Sequence, residues 1–164
     1  MANTSTLYLL CGKMAAGKST FANRLSQLYG VVVICEDDLL AALYPGEITE
    51  LSAYVEKSDR IKSAIEKTVV DLLSQGTSLI LDFPANTVMQ RKWLLGLADS
   101  ANSNHELHYL DIPDDICKSR LQTRATQNPE RAATDTAEMF DVITGYFEPP
   151  LSEEGLNIVV TKNN

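Results

Sequence analysis

The run Gly12-Lys13-Met14-Ala15-Ala16-Gly17-Lys18-Ser19 sets four free positions between a glycine and Gly-Lys-Ser, and Thr20 follows directly. These residue types at this spacing suit the binding of a polyphosphate. Glycines let the backbone turn so tightly that successive N–H groups converge on one anion, a lysine reaches its β and γ groups, and a serine hydroxyl offers a hard oxygen to Mg²⁺. At average residue usage so strict a match arises by chance in fewer than about one in a hundred chains of this length. Gly12, Lys13, Met14, Ala15, Ala16, Gly17, Lys18, Ser19 and Thr20 are therefore expected to hold a nucleotide triphosphate, with Lys18 also acting in catalysis and Ser19 also ligating the metal.

Acids form the second set. Leu79-Ile80-Leu81-Asp82 puts a carboxylate straight after an apolar run, where it can serve Mg²⁺, directly or through a water, or contact a second substrate. Glu36-Asp37-Asp38 follows another apolar run in the same way, and Asp111 a third. Phosphoryl transfer needs a group that orients and deprotonates the attacking hydroxyl, and Asp37 is the candidate for that base and for contact with the acceptor. Acids at a helix start also complement its dipole, so one of the three can cap while another reacts. Arg120 and Arg124 lie four apart, hence on one helical face, just before a polar run that holds Arg131. Both are candidate catalytic cations that close over phosphates, Arg124 being the nearer to that run. His105 and His108 point to opposite faces if they lie on a strand, so they are assigned no metal.

Groups of this kind need strands that end at them. Leu7-Tyr8-Leu9-Leu10-Cys11 is a short apolar run ahead of the glycine loop, and Phe21, Leu25 and Leu28 recur at helical spacing behind it until Gly30. Val31 to Cys35, Ser78 to Asp82, Glu106 to Leu110 and Leu156 to Val160 read as four more strands. Between them the spacing predicts a short helix around Leu39 to Leu43, a long amphipathic one over Glu47–Gln75, and others over about 86–100, 113–126 and 134–146, the last capped by Thr134 or Asp135. Five strands alternating with helices imply a three-layer α/β fold, a five-stranded parallel sheet flanked by helices, with a small exposed lid over about 125–136. In such sheets the ligand lies beyond the carboxyl ends of the strands, where the loop and the acids fall.

The bulk properties narrow the class. At 164 residues and 45% hydrophobic content the chain, 1–164, is expected to be one domain. A net charge of −8 argues against broad contact with nucleic acid or an anionic membrane surface. The longest apolar runs have strand length, so a cytoplasmic protein is expected, and three cysteines without close-pair spacing suggest buried thiols. A GTPase switch would want Asp-x-x-Gly after the third strand, but Asp82 is followed by Phe83-Pro84-Ala85, and the terminal Thr161-Lys162-Asn163-Asn164 is no base-reading motif.

Taken together, these residues resemble the P-loop kinase-like proteins grouped with zeta toxins and chloramphenicol phosphotransferase, many of them described only as AAA-domain ATP-binding proteins. The resemblance runs through Gly12 to Thr20, Cys35 to Leu40, Leu81-Asp82-Phe83 with Arg91 downstream, Tyr109 to Pro113, the Arg120 to Arg124 helix and Phe147-Glu148-Pro149-Pro150. It implies ATP- and Mg²⁺-dependent phosphorylation of a small hydroxylated acceptor, with Asp37 as the base, Arg91 as an acceptor or phosphate contact, and Arg120 and Arg124 as lid arginines. The departure is Met14-Ala15-Ala16, where many relatives carry Pro-Gly-Ser, since alanine tolerates a positive φ poorly. A nucleotide-binding regulatory module or an ATPase without transferase activity is the alternative. Antibiotic, sugar nucleotide, nucleoside and small metabolite stay open as acceptors, and so does the oligomeric state.

Overall fold

β1 (Thr6–Cys11) is apolar on both faces and accordingly lies in the middle of the sheet. The computed structural model describes residues 4–162, so Asn163 and Asn164 of the terminal run lie outside the described residues. β1 pairs in parallel with β3 (Leu79–Asp82) on one side and β4 (Asn104–Leu110) on the other. β2 (Val32–Cys35) adds beyond β3 and β5 (Ile158–Thr161) beyond β4, giving the order β2-β3-β1-β4-β5. All pairings are parallel, so the ends of β1 to β4 that carry the loop and the acids share one edge. Cys35 stands directly opposite Asp82.

The pleat divides the core into two halves. Leu7, Leu9 and Cys11 pack with Val69 and Leu73 of α3 (Leu51–Ser74) and with Leu94 and Leu97 of α4 (Val88–Ala101). Leu10 and Ile80 meet Ala22 and Leu25 of α1 (Lys18–Tyr29). Leu110 and Ile112 join Cys117 and Leu121 of α5 (Asp114–Gln127) and the fully buried Phe140 of α6 (Ala137–Thr144). Helices thus cover both sheet faces, the three-layer arrangement expected from the alternation. Side chains such as Leu94, wholly withdrawn from water, each stabilise the fold by about 1.5–3 kcal/mol. Among the described residues no helix is long and apolar enough to cross a membrane.

Two boundaries differ from those the sequence predicts. The long helix starts at Leu51 and not at Glu47, because Gly46 at φ 74 turns the chain and the Glu47 N–H donates to the Tyr44 carbonyl. α6 begins after Thr136, whose hydroxyl accepts from the Met139 N–H, so neither Thr134 nor Asp135 is its cap, and it ends at Thr144. Asp135 is drawn inward instead. α2 (Glu36–Leu43) starts directly at the carboxyl end of β2.

Candidate active site

The phosphate loop leaves β1 at Gly12, where a side chain would be crowded: a Cβ would stand 3.1 Å from both the Leu110 carbonyl oxygen and the Ala16 Cβ, so these neighbours would have to give way. The Gly12 N–H donates to Asn86 Oδ1 at 2.9 Å, and the Ala16 N–H closes the turn onto the Lys13 carbonyl at 3.0 Å. The loop does demand the conformation that alanine accepts poorly. Ala15 sits at φ 60, in the left-handed region, at a cost of about 1–2 kcal/mol. Met14 and Ala15 pack on the cluster around Leu110 and α5, which includes the buried Ala16, and this contact holds the strained turn in place.

Lys18 opens α1 and folds back across its own loop, donating to the carbonyls of Gly12 at 2.6 Å and Lys13 at 3.0 Å. Desolvation pushes its ammonium below the usual lysine range, and the charges of Asp82 and, more weakly, Asp37 pull the other way. The Lys13 side chain points elsewhere, to Asp114 at 2.5 Å, so only the backbone of that residue belongs to the cradle. Among the described residues no protein acceptor meets the N–H groups of Met14, Ala15, Gly17, Lys18 and Ser19. Five donors around one turn, backed by an ammonium, fit a polyphosphate. Thr20 is exposed in the first turn of α1.

Ser19 Oγ donates to Asp82 Oδ2 at 2.7 Å, and Cys35 Sγ lies 3.7 Å from the same oxygen. A hydroxyl and a carboxylate held in contact are the hard oxygen donors that Mg²⁺ prefers, so these two residues fit that ion. The three acids after β2 divide their roles. Glu36 is buried, accepts from the hydroxyls of Tyr54 (2.8 Å) and Ser58, and has its pKa raised by desolvation; it ties α2 to α3. Asp37 is exposed at this edge, where its charge is felt by Lys18, and Asp38 is exposed one residue along.

The arginines are placed differently from their expected order. Arg120 reaches the phosphate loop, with NH1 3.0 Å from the Ala16 carbonyl. Arg124, favoured for its nearness to the lid, is instead held by Asp135, Nε to Oδ2 at 2.5 Å and NH2 to Oδ1 at 2.8 Å, and Arg131 Nε joins at 3.3 Å. This pairing draws Asp135 out of water. Arg91 requires a correction. It is 1% exposed, and its N–H groups go to Glu154 (2.7 and 2.9 Å) and to the carbonyls of Ala85, Glu148 and Pro149. With every donor in a protein bond it is a brace inside the fold and not a substrate contact.

Sequence reasoning missed Asn86, Tyr54, Ser58, Asp135, Glu148 and Glu154. One signal was present: Thr87 and Gln90 form a capping box, a Thr-x-x-Gln pattern that marks Thr87 as the N-cap of α4 and so places Asn86 just before the cap. His105 and His108 do part to different surroundings. His108 is buried against Tyr8 and Phe21 and lies 2.7 Å from Glu106, whereas His105 accepts from the Asn157 N–H.

A family model described as an AAA domain matches residues 7–150. No curated protein matches the chain significantly in sequence. Among solved structures, a protein of Chloroflexus aurantiacus J-10-fl provisionally assigned as a kinase is 18% identical with a TM-score of 0.74, covering 97% of this chain and 88% of its own. An APS kinase of Mycobacterium tuberculosis, solved with AMPPNP and APS, is 16% identical with a TM-score of 0.65, covering 99% and 90%. A gluconokinase of Sinorhizobium meliloti 1021 is 15% identical with a TM-score of 0.59, covering 98% and 83%. Identities this low speak for the fold, and the fold is that of P-loop kinases.

Proposed function

Since the chain belongs to this AAA-domain family, we propose that it is an ATP-dependent phosphotransferase that moves the γ-phosphate of ATP to a hydroxyl of a small acceptor in the cytoplasm. The observation that carries the reading is the convergence at one sheet edge of Lys18, the Ser19–Asp82 pair and the exposed Asp37. Residues 1–164 act as one domain, with about 125–136 as its lid. The narrower kinship with zeta toxins and chloramphenicol phosphotransferase rests on the motif residues alone.

The loop N–H groups orient the triphosphate, and Lys18 gives up its carbonyl partners to the transferring group. Ser19 and Asp82 would hold Mg²⁺, which when bound neutralises charge on the β- and γ-oxygens. Arg120, already against the loop, adds positive charge from the opposite side, and Arg124 joins it if it leaves Asp135. Asp37 takes the proton of the acceptor hydroxyl as that oxygen bonds to the γ-phosphorus and the bond to the β-phosphate oxygen breaks, leaving ADP.

The test is ADP release from ATP and Mg²⁺ across a panel of hydroxylated small molecules. A kinase releases ADP only when one of them is present and transfers label from γ-³²P-ATP to it. Tight ATP binding with no acceptor-dependent release from any class in the panel would make the protein a regulatory nucleotide binder.

A further inference from the structure

Residues 145–156 follow α6 and cross the carboxyl edge of the sheet as a strap. We infer that this strap, acting through Asn86, positions the phosphate loop and so controls its nucleotide affinity. The inference rests on the nucleotide-binding reading above and adds residues that stand outside the motif.

The connection can be followed bond by bond. Gly12 donates its N–H to Asn86 Oδ1 at 2.9 Å, and the carbonyl of the same glycine receives Lys18 Nζ at 2.6 Å. Asn86 therefore tethers the residue that places the lysine. Asn86 is itself fixed from two sides: its N–H donates to Gln90 Oε1, and its carbonyl accepts the Glu148 N–H at 2.8 Å. Glu148 Oε2 in turn accepts the first-turn N–H of Val88 at 2.7 Å. The buried Arg91 locks this junction, spanning Ala85 just before Asn86, Glu148 and Pro149 in the strap, and both carboxylate oxygens of Glu154. The Arg91 guanidinium holds the Glu154 carboxyl below its ordinary range.

A second contact reaches the loop at its next residue. The Phe147 ring lies 6.1 Å from that of Tyr109, and Lys13 Nζ stands over it at 5.7 Å. The strap thus reaches the loop at Gly12 through Asn86 and at Lys13 directly through Phe147. None of Asn86, Glu148, Arg91 or Glu154 touches the donors that face a phosphate, so these are positioning residues. A hydrogen bond that fixes a preformed anion cradle acts on affinity by removing the need to order it on binding. The strap begins directly where α6 ends.

The test follows the amide resonance of Gly12 in ¹⁵N-labelled full-length protein and, by calorimetry well below the melting transition, the affinity for ATP with Mg²⁺. In Asn86→Ala the Gly12 amide proton should move upfield and affinity should fall about 5- to 10-fold, the scale of one lost hydrogen bond. Asn86→Asp keeps the acceptor and should return the Gly12 resonance to its parental position. Glu154→Gln, a milder change remote from the loop, should shift Gly12 in the same direction and weaken ATP about 2- to 5-fold. A purely structural role lowers the melting temperature and leaves both readouts alone. Parental resonance and affinity in Glu154→Gln would overturn the strap's control, and the same in Asn86→Ala would overturn the tether. If the parent binds no ATP, the nucleotide reading fails, and the Gly12 resonance still decides whether the strap holds the loop.

Discussion

The phosphate loop and the segment over about 125–136, proposed above as a lid, hold their cations in opposite ways. Lys18 rests on carbonyls of its own loop, in a turn packed against the α5 cluster and tethered at Gly12. Arg124 and Arg131 share one carboxylate, that of Asp135, within a segment whose other residues are mostly exposed. The loop has its shape before a ligand arrives, so binding needs little reorganisation there. On the lid proposal, Arg124 and Arg131 would have to leave that carboxylate to reach a phosphate, and each charge-assisted bond given up is worth about 1.5–3 kcal/mol. The contrast sets Arg120, whose NH1 already meets a carbonyl of the phosphate loop, apart from Arg124, which Asp135 holds.

The largest effect should come from the loop. In Lys18→Ala the fold should survive while triphosphate binding is lost. At about 100 times Kd, ATP should stabilise the parent by about 2.7 kcal/mol, raising Tm by roughly 5–10 °C, and should leave the variant unmoved. Equal shifts in both would end the contrast, because the loop would then be no more than a turn. The next effect tests the acid that both regions serve. Asp37→Asn should keep ATP affinity and lose acceptor turnover by about 10²- to 10⁴-fold, whereas Asp38→Asn should change only a helix-start charge of roughly 0.3–1 kcal/mol. Comparable losses of turnover in the two variants would remove Asp37 as the base.

The lid should respond more weakly and locally. Asp135→Asn removes the charge that gathers two guanidiniums, so the segment should loosen by about 1–3 kcal/mol, and trypsin should cut after Arg131 some ~10-fold faster while global Tm moves little. Unchanged cleavage would show that Asp135 is not what holds the lid. The smallest effect returns to the loop. Ala15→Gly relieves about 1–2 kcal/mol of left-handed strain and gives back about 0.5–1 kcal/mol in chain entropy, so Tm should rise by roughly 1–3 °C. A fall in thermal scans would mean that Ala15 is not strained.

The motif, the strands and the acids at their ends were legible because each is a local pattern: an apolar run that stops at a carboxylate needs no distant partner to be seen. Arg91 was misread because spacing tells which helical face a residue occupies and not what fills the space before it. Apart from Ala85, its partners lie 57 to 63 residues away, in the strap. Arg124 was overrated for a related reason, since Asp135 looked like a helix cap and proved to be an ion-pair partner. Asp37 was already the candidate base from the sequence, but the separate task of Glu36 was not legible until α3 brought Tyr54 and Ser58 against it.

The bond between Gly12 and Asn86 also bears on how the molecule is made. The phosphate-loop motif precedes its partners in the chain: β1 has no strand beside it until Leu79 and then Asn104 emerge, and its tether is not braced until Glu148 and Glu154 follow. Until then an apolar strand and an unformed loop wait in the nascent chain, a stage at which chaperones and proteases compete with folding. The motif thus depends on contacts made by residues far behind it in the chain, so a product cut short before the strap would carry every residue of the motif without the bonds that brace its tether.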